Sequence, residues 1–396
     1  MILAERHIIK RSHVHFQELD NVCFLSKNLY NASLYAVRQH FFTTKEYLSY
    51  VSNCKTFQDG NQPDYRALPT KVAQQTMKMV EQNFKSFFGL LSKKGKGDYG
   101  YKLKIPKYLD KKGRYITTYT NQAISRAWLR KGFINLSGTG VYIPTKVKEV
   151  TQVRVIPKPY HIVVEVLYEV DEKPLKEPSG RYCSVDLGLN NLATVGSNVI
   201  KSIIVNGRPL KSINQYYNKE KAKVQSKLER TEKRKTSKKL HRLTSKRNNK
   251  VDDYLHKSSR LIVNHLVSNN IDTLVIGQNK EWKQDINIGK QNNQNFVTIP
   301  HSRFIQLLKY KCKMEGINVV TTEESYTSKC SFMDNEPIRK HSEYKGKRVK
   351  RGLFKTQEKK LINADLNGAL NILKKVVGEF QYPIEVCSTP LVLTIK

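Results

Sequence analysis

The period of apolar positions changes near residue 180. Upstream, Phe16, Leu19, Val22, Leu25 and Leu29 recur at helical spacing, as do Val72, Met77, Val80, Phe84, Phe87 and Phe88. Side chains three and four apart share one face of a helix, so both stretches predict amphipathic helices whose aromatic residues turn to a core. A strand is predicted over 2–13. Strand patterns return over 131–170, most clearly in "YHIVVEVLYEV". "DEKPLKEPSG", with two prolines and a glycine, reads as a linker. Beyond it, three short apolar runs, Tyr182–Leu187, Leu192–Val195 and Val199–Val205, are separated only by "GLNN" and "GSN", which supply hairpin-type turns. A helix over Val251–Val267 leads to the strand "DTLVIG". A helix over Phe304–Lys313 leads to "INVVTT", and a last helix, "ADLNGALNILKKV", follows a long basic loop. Strand, strand, strand, helix, strand, helix, strand, helix is the element order of an α/β RNase H-like fold.

Charge narrows the partner. Lys and Arg number 70 against 34 Asp and Glu, a formal net charge of +36. Self-repulsion on that scale opposes compaction, and a polyanion relieves it. Residues 211–250 hold 15 Lys/Arg and 3 Glu without Gly or Pro. Like charges this dense destabilise a helix left in water, whereas a phosphate backbone removes that penalty and adds counterion release. Lys221, Lys223, Lys227, Arg230, Lys233, Arg234, Lys238, Lys239, Arg242, Lys246 and Arg247 are therefore candidate nucleic-acid contacts. Further candidates are the lysines flanking Leu103 (Lys102 and Lys104), Lys107, and the downstream group Lys347, Arg348, Lys350 and Arg351. No apolar run approaches the ~20 residues of a membrane span, and "MILAERHIIKR" has no signal-peptide core. The expectation is an unsecreted protein without a membrane partner. Six scattered cysteines without C-x-x-C spacing argue for a reducing compartment and against a disulfide framework or a four-cysteine zinc ribbon.

Chemistry has few places to reside. No G-x-S-x-G, P-loop or dinucleotide fingerprint occurs. An RNase H-like site gathers carboxylates from distant parts of the chain around two divalent ions, and Mg²⁺ takes hard oxygen ligands. Asp186 ends the first strand, before Gly188 and Asn190, which are suited to a turn with positive φ. A turn-capping aspartate would look the same. Asp365 opens the last helix behind the cap Asn363, where dipole electrostatics alone also favour a carboxylate. Their joint position on one predicted sheet raises both. A third carboxylate is expected at the end of the fourth strand, but Gly277 stands there. Glu281 just beyond, and Glu323 and Glu324 closing the fifth strand, compete for the role; strand alternation lets only one of the last two face the site.

"VDLGLNNLATV", "NQNFVTIPHSRFIQLLKYKCKMEGI", "TEESYTSKCSFMD", "KRGLF" and "LINADLNGALNILKK" together resemble the TnpB proteins of bacterial and archaeal transposons and their Fanzor relatives. The resemblance is dense from 181 to about 377 and weaker earlier, in "PKYLDKKGRY" and "YTNQAISRAWLRKGFINLSGTG". It implies a wedge-type β-barrel over 1–15 and 126–175, interrupted by a helical recognition domain over 16–125. A RuvC-like nuclease domain is implied over 181–324 and 361–377, with a basic helical insertion over 207–250. A degenerate zinc-ribbon-like insertion over 325–360 and a tail over 378–396 complete the scheme. The implied activity is RNA-guided, two-Mg²⁺ cleavage of DNA, with guide RNA and target double-stranded DNA as partners. A nuclease-inactive RNA-guided binder is the alternative. Asp186 matches the family's first aspartate and Asp365 its last. The missing glutamate resembles a branch with an E-x-x-T-S signature, here Glu324 to Ser328, which favours Glu324 over Glu323 and Glu281. Of the relatives' zinc cysteines only Cys330 is matched, with Met333 and Asp334 where a second belongs, so the insertion is expected to fold without zinc. The expected location is cytoplasm or nucleoid in a prokaryote, or the nucleus for a eukaryotic or viral protein.

Overall fold

A computed structural model describes residues 1–98, 100–232, 234–279 and 299–395. They form two units, Met1–Val170 and Asp171–Lys396, which divide where the predicted linker begins.

The first unit runs β1 (Ile2–Lys10), α1 (Phe16–Thr44), α2 (Tyr50–Asp59), a one-turn α3 (Pro63–Arg66), α4 (Thr70–Gly95), β2 (Thr117–Thr120), a short α5 (Arg126–Arg130), β3 (Phe133–Asn135), β4 (Tyr142–Pro144), β5 (Gln152–Pro157) and β6 (His161–Glu169). An antiparallel sheet in the order β1-β6-β5-β2 carries the long helices. Leu19, Val22 and Leu29 of α1 and Val72 and Met77 of α4 pack against Val153, Val155 and Val164 of the sheet, as the helical spacing predicts. Phe84 is fully buried in a second cluster with Tyr30, Leu34, Val37 and Val80, which Phe87 and Phe88 only border. The first strand ends at Lys10, three residues short of the predicted end. The periodicity does not show α2. Ser49 starts it by accepting from the Ser52 amide, and it buries Asn53, Cys54 and Phe57.

The second unit runs β7 (Tyr182–Leu187), β8 (Asn191–Ser197), β9 (Ile203–Asn206), α6 (Arg208–Glu232), α7 (Lys238–Ser268), β10 (Thr273–Gly277), α8 (His301–Met314), β11 (Asn318–Thr322), β12 (Lys347–Lys350), β13 (Leu353–Lys355), β14 (Leu361–Asn363), α9 (Ala364–Val377) and β15 (Leu391–Leu393). The main sheet has the order β11-β10-β7-β8-β9-β15. β10 and β11 run parallel to β7, and β8 runs antiparallel to it. This is the RNase H-like arrangement that the element order predicts. Three details differ. The third strand starts at Ile203 rather than Val199. The residues read as a plain tail add β15, parallel to β9 at the sheet edge. The second half of the basic insertion is continuous with the helix predicted over 251–267. Ser237 caps α7 by accepting from the Leu240 amide, and the helix then runs unbroken to Ser268. None of residues 238–250 is buried, whereas Val251, Leu255, Ile262 and Leu266 enter the core. One helix thus serves as core crossover at one end and as a cationic arm at the other.

Candidate active site

β7 presents Cys183, Val185 and Leu187 to the main core. Its alternate residues, Ser184 and Asp186, face α9, where the Ser184 hydroxyl donates to the Ala369 carbonyl. Gly368 makes room for the aspartate: a Cβ there would lie 2.9 Å from Asp186 Oδ2. The turn after Asp186 does not use positive φ, contrary to expectation, since neither Gly188 nor Asn190 adopts it. Gly188 is required by proximity instead, because a Cβ would meet the Asn191 carbonyl at 2.6 Å. His301, buried at the start of α8, holds the same turn through Nε2 to the Gly188 carbonyl at 3.0 Å.

Asp365 sits in the first turn of α9. Asn363 caps that helix, its side chain accepting from the amides of Asp365 and Leu366 at 3.0 and 3.1 Å. The carboxylate of Asp365 accepts from Asn191 Nδ2 at 2.7 Å and pairs with Arg348 Nη2 at 3.0 Å. The main sheet, α9 and β12 therefore converge on one spot.

Glu324 completes the group, and Gly277 explains how. A Cβ on Gly277 would lie 2.6 Å from Glu324 Oε1 and 2.7 Å from its Cγ. The space that a glutamate at 277 would fill is already taken by a glutamate from the next strand. Asn279 fixes it, accepting from the Glu324 amide at 2.9 Å and donating to Oε2 at 3.5 Å. The E-x-x-T signature is a turn. The Thr327 amide and hydroxyl both donate to the Glu324 carbonyl, at 3.1 and 2.9 Å, and Tyr326 takes a left-handed φ of 65°. Buried Asn371 of α9 in turn donates to the Thr327 and Cys330 carbonyls, and Asn367 to the latter.

Asp186 feels the other two carboxylates. Burial, then the charges of Glu324 and Asp365, hold the Asp186 carboxyl well above the usual carboxylate range, with Arg348 acting in the opposite direction. Burial pushes Glu324 up to about 7. Its buried Oε1 has no hydrogen-bond partner, so a cation would satisfy an atom that is otherwise costly to bury. Among the described residues no trio of His, Cys, Asp and Glu is drawn to metal-binding distances. The chemistry of the donors nonetheless suits a hard divalent ion: all three are carboxylates, and the charges of Glu324 and Asp365 both oppose ionisation of Asp186. A pH effect follows. Between about 4.5 and 7 the folded metal-free chain binds more protons at Glu324 than the unfolded chain, so this group's stabilisation is lost as pH rises through about 7. Thermal melts of metal-free protein should show that fall, and Glu324→Gln should flatten it. A Glu324→Gln melt with the same slope would refute the assignment.

Glu323 is exposed, whereas Glu324 is half-buried; both lie just past the end of β11. Glu281 and Lys233 lie outside the described residues. Lys221, Lys223, Lys227 and Arg230 lie along α6; Lys238, Lys239, Arg242 and Lys246 along α7; Arg234 lies between the two helices. The segment of Lys102, Leu103, Lys104 and Lys107 carries no regular element. Lys347 and Lys350 are exposed on β12, and Arg351 is exposed just after it. Two of the candidate phosphate contacts also have partners within the protein: Arg348 pairs with Asp365, and Arg247 Nε donates to Asn214 Oδ1 at 2.7 Å. The sequence reading missed Asn191, Asn279, Asn367 and Asn371. The signal for the last two was two asparagines four apart on an otherwise apolar helix face.

The 325–360 insertion has a carboxylate at its centre. Glu336, 1% exposed, accepts from the amides of Ser331 at 2.7 Å and Lys345 at 2.9 Å. The Cys330 thiol contacts the Pro337 and Arg339 carbonyls at 3.4 and 3.6 Å.

Comparison with known proteins adds to this geometry. Residues 165–283 match the OrfB_IS605 family model, a probable transposase, and residues 301–372 match the Cas12f1-like TNB domain. A TnpB-like protein of Acidianus two-tailed virus, ORF457, is 28% identical over 253 residues, 55% of this chain and 50% of the relative; the match thus spans about half the relative's length. Two solved structures overlap loosely: a Cas12f1–sgRNA–target DNA complex (15% identity, 93% of this chain and 98% of that one, TM-score 0.37), and a CRISPR-Cas12f ternary complex (14%, 90% and 82%, TM-score 0.36). Strand order and converging carboxylates define the class, an RNase H-like α/β domain with an acidic centre. Within that class the chain is similar to TnpB-type proteins over part of its length.

Proposed function

We propose that the chain is an RNA-guided, Mg²⁺-dependent DNA endonuclease that hydrolyses target phosphodiesters at the centre formed by Asp186, Glu324 and Asp365. The observation that carries this reading is the exchange at Gly277: the glycine clears the volume that Glu324 enters, beside the two aspartates. That exchange speaks against one motive for the nuclease-inactive alternative, the missing glutamate; the lost zinc ligands are its other motive. Two bound Mg²⁺ ions would activate water and offset charge on the attacking and leaving oxygens. Asp186 and Asp365 would hold them, with Glu324 closing the set. Asn191 and Arg348 orient Asp365, and Asn279 orients Glu324; fixed ligands need no rearrangement at the moment of reaction. The basic arm of α6 and α7 would grip the phosphate backbones of guide RNA and DNA. Purified ribonucleoprotein given matched duplex target and Mg²⁺ should cut it and spare an unmatched one; indifference to guide sequence would refute the reading. No helix of the described residues is long and apolar enough to cross a membrane, and nucleoid, cytoplasm or nucleus remains the proposed location.

The insertion would do its work without zinc. Glu336 ties Ser331 to Lys345 through two charge-assisted bonds of about 1.5–3 kcal/mol each. Glu336→Ala is expected to destabilise residues 331–345 by about 3 kcal/mol. Hydrogen exchange of that segment checks it, and chelator should leave the unsubstituted chain's exchange unchanged.

A further inference from the structure

The basic hairpin contains a recess that phosphate gripping does not use. Near the hairpin's root, Tyr216 and Tyr217 of α6 face Leu243, Lys246, Arg247 and Lys250 of α7 across a cavity of about 380 Å³. Two polar contacts set the helix register there: Tyr217 Oη to Thr244 Oγ1 at 3.0 Å, and Arg247 Nε donating to the buried Asn214 Oδ1 at 2.7 Å. Tyr217 is a fixed wall, with the Arg247 guanidinium and the Lys221 ammonium each 5.9 Å from its ring centre. Tyr216 stands at the mouth, 63% exposed. Lys246 and Lys250, also exposed, sit one turn apart on the rim, a like-charge spacing that is unfavourable without a counter-ion. No carboxylate lines the recess.

Aromatic walls, a cationic rim and no acid describe a receptor for a flat ring that carries phosphate. We propose that this recess takes one unpaired nucleobase of the bound RNA, stacked on Tyr216, with Lys246 and Lys250 on the adjoining phosphates. The inference rests on the reading of the chain as RNA-bound. A paired duplex keeps its bases stacked inside the helix and cannot offer one without extrusion, whereas folded RNA presents bulged and loop bases ready for stacking. Stacking on an aromatic ring tolerates any base, so the recess would read shape rather than sequence.

The test uses the full chain and two labelled RNA hairpins that differ only by a single-nucleotide bulge. Tyr216→Ala should weaken binding of the bulged hairpin about tenfold, leave the fully paired hairpin unchanged, and leave the salt slope of both unchanged. Tyr216→Phe should bind as the unsubstituted chain does. Lys246→Ala with Lys250→Ala should weaken both hairpins and reduce the salt slope by roughly 1.4, two phosphates at about 0.7 each. Tyr216 is exposed, and a matching melting temperature excludes misfolding as the cause. An equal effect of Tyr216→Ala on both hairpins, no effect on either, or a stronger effect on a bulged DNA hairpin would overturn the recess while leaving the nuclease reading intact. If the unsubstituted chain binds neither RNA, the guide-RNA reading falls with it.

Discussion

Asp186→Ala is expected to bind guide RNA and target DNA as the unsubstituted chain does, yet cut at least about 10³-fold more slowly. The reason is positional. Asp186 lies on the central strand, against α9, where the charges of both Glu324 and Asp365 act on it. No other described carboxylate shares that position, so none can take over. The same substitution should not destabilise the metal-free fold. It removes a buried acid held near two like charges, a source of repulsion once ionised. Gel shifts and melting curves run beside single-turnover cleavage separate the two effects. Cutting within tenfold of the unsubstituted rate would exclude the proposed centre.

The second large effect concerns the glutamate. Gly277→Glu alone would put a second side chain where Glu324 already lies, with contacts of 2.6–2.7 Å to it and to Ile372. Overpacking of this kind costs about 1–3 kcal/mol, and it would also push Glu324 off the site. Glu324→Gly alone removes the ligand. Each single change should reduce cleavage about 10²-fold or more. Together they should recover it to within about tenfold of the unsubstituted rate, because the carboxylate returns from the neighbouring strand into the vacated volume. Flexible Ile372 Cδ1 must shift slightly to admit it. Such non-additivity identifies two residues that share one space. A double variant no better than either single would show that Glu324 is not a relocated ligand.

Much of the second unit was legible from residue pattern. Short apolar runs at 182–187 and 273–277 and helical periods at 251–267 and 304–313 gave the right elements in the right order, because the strands are buried on both faces and each helix buries one face on the same core. The aspartates were legible as a pair once that order was written out. The glutamate was not legible from spacing alone: Glu323 and Glu324 are adjacent, and only burial separates them. Neither α2 nor β15 was seen, since each buries too few residues for a period to show. Arg348 looked like one cation in a basic run, and its pairing with Asp365 joins residues that the linear pattern has no reason to connect.

By itself the sequence determined the polyanion-seeking charge, the alternation of strands and helices, and which acids were available, since these depend on local period and composition. Tertiary structure alone decided that Gly277 makes way for Glu324, that Gly368 makes way for Asp186, and that Arg348 pairs with Asp365. Those outcomes depend on which side chains from distant segments compete for the same few cubic ångströms, and close packing settles that only when the whole sheet and its last helix are in place.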